Sequence, residues 1–208
     1  VTVKSMGLNH VVITSVDRDD LKGDYGAEIW AKTIREIHRV AKKCSVEVLT
    51  PDFKGYLPAL IKVFEARPDI FSHNIECVER ISKQVRSQSN WQRTKQVLKE
   101  SVKFGLITKT GLMVGLGETD DEVILTMNEI AEIGVEIINI GQYLQPTNSH
   151  LEVSRFVHPD TFNLYKEKGL AMGFKHVESG PLVRSSYHAE KQVEIYSKVS
   201  NSKNNIRL

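Results

Sequence analysis

The chain has 208 residues, 40% hydrophobic and 26% charged, which is the composition of an ordinary globular protein with enough length for one sizeable core. Its net charge of +2 hides an asymmetry: residues 191–208 carry +3 and the other 190 carry −1, so the basic balance comes from the tail and gives no support for a nucleic-acid-binding face. No apolar run approaches the roughly 20 residues of a membrane span, no signal segment opens the sequence, and Cys44 and Cys77 are too few for a disulfide framework, which points to a reducing, cytosol-like compartment.

Residues 1–7 read as the end of a helix closed by Gly7. With Val1 in place of a methionine, this gives the expectation that the sequence starts in mid-domain. His10-Val11-Val12-Ile13-Thr14 is a β-branched run that predicts a buried strand. Trp30, Ile34, Ile37 and Ala41 recur at helical spacing and predict a helix over 27–42. A strand follows over 46–49, then a short helix over 57–64 with Pro58 in its first turn, then a strand over 69–72.

Asn90 caps a predicted helix that runs to Phe104 and stops at Gly105. Residues 107–116 form a longer strand. Thr119 and Glu122 make a capping box for a helix over 120–132. Strand 136–140, helix 159–172 opened by Pro159 and closed by Gly173, and strand 175–177 complete the pattern. Strand-helix alternation of this kind implies an α/β fold with a parallel sheet, six strands of which can curl into part of a barrel. Residues 1–190 are expected to form that barrel and residues 191–208 a disordered polar, basic tail.

In such folds the chemistry gathers where parallel strands end. Here the predicted strand ends carry unusual polar residues: Thr14-Ser15-Val16-Asp17-Arg18-Asp19-Asp20, Thr50-Pro51-Asp52, His73-Asn74-Ile75-Glu76, Gly115-Leu116-Gly117-Glu118, Gly141-Gln142-Tyr143-Leu144-Gln145-Pro146, and Arg184-Ser185-Ser186-Tyr187. Each alone has a bland reading as a solvated loop, a core histidine, a turn or a helix cap. Together, six loops bearing amides, carboxylates and hydroxyls on one rim describe a site for a large polar ligand. The run from Gly111 to Glu118 fits neither a P-loop nor a dinucleotide-binding glycine pattern.

These stretches together resemble lipoyl synthase, a family of radical S-adenosylmethionine enzymes, from about Met6 to Ala189. The resemblance implies a partial TIM-type (β/α)6 barrel, here lacking the first strand and the N-terminal extension, with two [4Fe-4S] clusters and S-adenosyl-L-methionine. It implies sulfur insertion at C6 and C8 of a protein-bound octanoyl chain. A 5′-deoxyadenosyl radical does the abstraction and a sacrificial auxiliary cluster supplies the sulfur. The implied partners are octanoylated lipoyl carrier domains (the 2-oxoacid dehydrogenase E2 subunit and the glycine cleavage H protein), with no nucleic acid and no membrane. The location is cytoplasmic, or mitochondrial in a eukaryote.

By position, Ser186 resembles the family's oxygen ligand to the auxiliary cluster, with Ser185 as the runner-up. Thr14, Ser15 and Asp17 lie where such enzymes hold the amino end of the methionine. Asn74 and Glu76 resemble ribose or methionine contacts, and Gly115, Gly117 and Glu118 the adenine-side turn. Gln142, Tyr143 and Gln145 face the same rim.

The match breaks at the cysteines. The family carries two cysteine triplets near its N-terminus, and this sequence carries neither. Thiolates hold cluster irons; Cys44 reads as a small buried residue, and Cys77, after Glu76 and near the rim, cannot hold a cluster alone. The expectation is a chain inactive on its own, either because it is a fragment or because it is a remnant that only binds an acylated carrier domain. A third reading is a metal-free barrel enzyme with a Schiff-base lysine. Its only candidate is Lys109, expected to face outward or to pair with an acidic group.

Overall fold

The computed structural model describes residues 2–88, 90–187 and 189–190, so the expectation for the tail at 191–208 lies outside the described residues. Six strands form one sheet in chain order: β1 (His10–Thr14), β2 (Ser45–Leu49), β3 (Ile70–Ser72), β4 (Thr108–Val114), β5 (Ile137–Gln142) and β6 (His176–Gly180). Every neighbouring pair is parallel. A single helical turn, α1 (Thr2–Ser5), precedes them. Between successive strands run α2 (Ala27–Val40), α3 (Leu57–Glu65), α4 (Ser82–Val85) with α5 (Trp91–Lys103), α6 (Asp120–Ile133) and α7 (Pro159–Met172).

Local chemistry sets the element ends. The Asn90 side chain accepts from the Arg93 amide at the start of α5. Thr119 and Glu122 close the expected capping box on α6, each side chain taking the other's backbone N–H. Strand β4 is shorter than its apolar run because Gly115, at φ 96°, turns the chain into a left-handed conformation. Strand β1 is half-buried rather than buried, since it forms an edge of the sheet and pairs only with β2.

The register shows why the sheet curls. Thr14, Leu49, Ser72, Lys109, Ile137 and His176 are successive partners across all six strands. That row starts at the last residue of β1 and ends at the first residue of β6, which is the stagger a barrel wall requires. Alternate residues divide between two faces. The outer face packs Val46, Val48 and Phe71 against α2 and α3, and Leu112, Val114, Ile138, Ile140 and Val177 against α6 and α7.

The inner face is polar. Lys109 on β4 reaches Glu47 on β2 at 2.9 Å, and both side chains are fully buried. Of the two placements expected for Lys109, the inward acid-paired one is found and the outward one is not. Burial pulls its ammonium below the ordinary lysine range while Glu47 works against that pull.

Candidate active site

The site begins with a break in β3. After Ser72 the chain turns through His73, Asn74 and Ile75, and Glu76 takes a left-handed φ of 67°, uncommon for a residue with a side chain. It then rejoins β4: the Glu76 amide donates to the Gly111 carbonyl (3.0 Å) and the Met113 amide to the Glu76 carbonyl (2.8 Å). Thr110 secures the turn, donating its hydroxyl to the His73 carbonyl and accepting from the Ile75 amide. The result aims Asn74 and Glu76 into the barrel mouth.

A second segment crosses the mouth from the other side. The chain after β6 folds back over β5 and β4, and glycines make room for it. A Cβ on Gly141 would lie 2.2 Å from the Val183 carbonyl oxygen, and one on Gly111 would lie 3.4 Å from Ser185 Oγ and 2.7 Å from its partner Asn74 Oδ1. Asn139, inward-facing on β5, donates to the carbonyls of Arg184 (3.0 Å) and Ser185 (3.1 Å). Ser185 Oγ then lies 3.0 Å from Asn74 Nδ2 and 3.3 Å from its Oδ1. The strap thus joins positions 111 residues apart.

Two adjoining cavities result. The larger, about 560 Å³, is lined by polar groups including Asn74, Glu76, Arg86, Asn139 and Ser185 and by apolar ones such as Met113, Leu116, Leu144 and Leu151. The smaller, about 320 Å³, is lined by Thr14, Ser15, Asp17, Thr50 and His73, and shares Asn74, Glu76 and Arg86 with the first. Arg86, just beyond α4, pairs with Asp17 across the boundary. Burial holds the Glu76 carboxyl above its ordinary value, opposed by the Arg86 charge and an Asn74 hydrogen bond.

The sequence-predicted residues separate into three groups. Thr14, Ser15, Asp17, Asn74 and Glu76 converge on the cavities. Gly115, Gly117 and Glu118 lie beside the larger cavity, not in its wall; of that turn only Leu116 lines it. The buried Glu118 carboxylate is engaged locally, accepting from the amides of Gly115 (2.6 Å) and Leu116 (2.9 Å).

Gln142 touches the larger cavity, yet its amide is committed to backbone. It donates to the carbonyls of Tyr143 and Arg155, both at 3.0 Å, and accepts from Val157 N at 2.9 Å. Gln142 therefore buckles the 143–157 segment that forms one cavity wall. Tyr143 also lines that cavity, its hydroxyl bonded to the Leu151 carbonyl, whereas Gln145 is half-buried, lies outside the cavity wall and is bonded to the His150 carbonyl.

The serines divide likewise. Ser185 lines the larger cavity and is bonded to Asn74; Ser186 is exposed, and its hydroxyl has no hydrogen bond among the described residues. Three contributors escaped the sequence reading. Asn139 interrupts the apolar run Ile137-Ile138-Asn139-Ile140, a legible sign of an inward polar group. Arg86 and the glycine clearance at Gly141 carry no such signal.

A family model for the radical SAM superfamily matches residues 2–130. A lipoyl synthase from Rubrobacter xylanophilus is 54% identical over 194 residues, covering 92% of this chain and 60% of that protein. One from Bacteroides fragilis is 50% identical over 197 residues, covering 95% of this chain and 68% of that protein. The chain belongs to the lipoyl synthase family. It spans about 60% of the first relative's length and 68% of the second's. Among solved structures, methylornithine synthase (PylB) superposes with a TM-score of 0.62 at 12% identity, covering 86% of this chain and 59% of that one, which shows a shared fold.

Membership of the lipoyl synthase family implies S-adenosylmethionine and iron–sulfur clusters, and the residues present fit these unequally. The paired cavities, polar at one side and apolar at the other, are within the range of small-molecule sites. The cysteines do not fit a cluster. Cys44 precedes β2, at the end of the barrel opposite the cavities, and burial raises its thiol. Cys77, which follows Glu76, is buried and its thiol is pushed up to about 12, chiefly by burial. Two buried cysteines so placed cannot supply the set of thiolates that holds a cluster. No group of three metal-ligating side chains occurs among the described residues, and no helix among them is long and apolar enough to cross a membrane.

Proposed function

We propose that this chain forms the ligand-holding barrel of a lipoyl synthase, the enzyme that inserts sulfur at C6 and C8 of a protein-bound octanoyl chain. The observation that carries the reading is the Asn74–Ser185 contact, which brings the most family-specific motif of the sequence onto the strand-end site. In this reading Thr14, Ser15, Asp17, Asn74 and Glu76 hold the polar end of S-adenosylmethionine. Met113, Leu116, Leu144 and Leu151 offer walls for an aliphatic chain. Octanoylated carrier domains of the 2-oxoacid dehydrogenases and the glycine cleavage system are the proposed partners, in the cytosol. Ser186 is the proposed oxygen ligand to an auxiliary cluster, because Ser185 is already committed to Asn74 while the Ser186 hydroxyl is exposed and unbonded among the described residues.

The thiolates that both clusters need are not among these 208 residues. This favours a second reading for the chain by itself, in which it binds an acylated carrier domain without acting on it. One experiment separates the two. The chain is joined behind the segment of the Bacteroides fragilis relative that precedes the matched region, and both versions are expressed in a lipoate-requiring bacterial strain. The joined protein is expected to restore growth without lipoate and the 208-residue chain is not. No growth from a joined protein that accumulates and folds would defeat the enzyme assignment.

A further inference from the structure

The smaller cavity contains a group that none of the assignments above uses. His73 is buried, and its Nδ1 lies 2.9 Å from the Thr50 carbonyl oxygen. A carbonyl can only accept, so Nδ1 carries the hydrogen and Nε2 is left with a bare lone pair. Among the described residues that Nε2 has no partner, and neither has the buried Thr50 hydroxyl. Both residues line the same 320 Å³ cavity. Buried polar atoms are almost always paired, and two unpaired ones on one cavity wall mark a place where a ligand supplies what the protein does not.

We propose that His73 is a ligand-contacting acceptor: its Nε2 receives a hydrogen bond from an N–H or O–H donor of the molecule held in the smaller cavity. The proposal rests on the reading that S-adenosylmethionine occupies this mouth, and it adds a residue and a polarity to that reading. The donor is the α-ammonium of the methionyl part or a ribose hydroxyl. The charged groups facing the ring are Asp52, Asp17 and Arg86. Arg86 opposes protonation, the two aspartates favour it, and burial outweighs both, keeping the imidazole neutral. A neutral acceptor of this kind discriminates against ligands that present a carboxylate or carbonyl at that point, because two lone pairs would face each other in a buried site.

The test uses the uniformly ¹⁵N-labelled 208-residue chain and S-adenosylmethionine as the probe, read by NMR of the backbone amides and of the histidine ring nitrogens. In the free chain the His73 ring is expected as the Nδ1–H tautomer, with an unprotonated Nε2 resonance. On saturation that resonance is expected to move toward the hydrogen-bonded position while Nδ1 stays put. Titration with methionine and with adenosine then assigns the donor to the ammonium or to a ribose hydroxyl.

Two variants separate contact from folding. His73→Asn retains a donor for Thr50 but has no atom at the Nε2 position, and it is expected to weaken binding about tenfold, the effect of one lost hydrogen bond. His73→Gln places an amide oxygen near the Nε2 position and is expected to bind within a factor of three of the parent. Saturable binding that shifts the Ser15 and Glu76 amides but leaves His73 Nε2 unmoved would overturn the His73 assignment and leave the ligand reading standing. So would equal binding by His73→Asn and the parent, which would mean that water alone fills the gap. No saturable binding at all would sink the reading beneath it.

Discussion

The two faces of the sheet are built on opposite principles. The outer face, under α2, α3, α6 and α7, is an ordinary apolar core: Val46, Val48, Phe71, Ile138 and Ile140 are all buried to the last ångström or nearly so. The inner face carries His10, Glu47, Lys109, Asn139, His176 and Glu178, side chains that most barrels replace with branched aliphatics. Stability therefore comes from outside the sheet, and the polar interior serves the mouth above it. Asn139 holds the Ser185 strap, and the Glu47–Lys109 pair fills the space beneath. The contrast teaches where substitutions should be additive and where they should not.

The largest expected effect is on the interior pair. Lys109→Met leaves the Glu47 carboxylate fully buried, its remaining ion-pair partner among the described residues being His10 Nε2 at 3.7 Å. Breaking a buried pair in this way costs about 3–5 kcal/mol. Replacing both partners, Glu47→Leu with Lys109→Met, is expected to recover most of that loss, because no orphan charge remains. Urea unfolding of the two single variants and the double variant measures the coupling directly. A Lys109→Met protein within 1 kcal/mol of the parent would mean that the interior is wet and the comparison of faces is misdrawn.

A middle-sized effect is expected at Gly141, where the strap rests on β5. An added Cβ would meet the Val183 carbonyl oxygen at 2.2 Å, a backbone atom that cannot step aside. Gly141→Ala is therefore expected to lift the strap off Asn139 and Asn74. A stability loss of about 1–3 kcal/mol follows from overpacking. Ligand binding should fall further than that loss implies, since the strap forms one wall of the larger cavity. Calorimetric titration with S-adenosylmethionine, run beside thermal unfolding, distinguishes a displaced strap from a weakened barrel. Unchanged binding in a destabilised protein would show that the strap contributes no ligand contact.

Much of the outer architecture was legible because periodicity and caps are local signals. Thr119 with Glu122 and Asn90 each announced a helix start that the structure reproduces, and β1 and α7 occupy the residues their patterns predicted. The site was legible only where one residue type stood out against its strand, as Asn74 and Glu76 did after a short apolar run. What escaped depends on distant partners. Gln142 was read for its place at the cavity, which it lines, but not for its second task as a buckle, because its amide meets the Arg155 carbonyl 13 residues later. Glu118 was read as part of a ligand-side turn, and its bonds to that turn's own amides were not foreseen. The half-burial of β1 follows from its place at the sheet edge, which no property of His10-Val11-Val12-Ile13-Thr14 encodes.

The smallest expected effect sharpens the contrast from the outside. Arg80 and Glu122 form a two-pronged ion pair on the outer surface, at 2.6 and 2.9 Å, the exposed counterpart of Lys109 and Glu47. Hydrogen bonds from Arg80, then from the Thr119 backbone, lower the Glu122 carboxyl from its ordinary 4.5 to about 2. A depressed carboxylate contributes its stabilisation above the unfolded value and loses it as pH falls through the folded one. The contribution is therefore complete above about pH 5 and fades between about 4.5 and 2. Glu122→Gln keeps an acceptor for the Thr119 amide and removes the charge, so its cost should be under about 1 kcal/mol at pH 7, as for exposed pairs generally. The gap between parent and variant should close by pH 2 and shrink in 1 M salt, where exposed charges are screened, whereas the Lys109 variant should lose the same amount at either ionic strength. A Glu122→Gln gap that persists at pH 2 would assign the residue's worth to helix capping rather than to its charge.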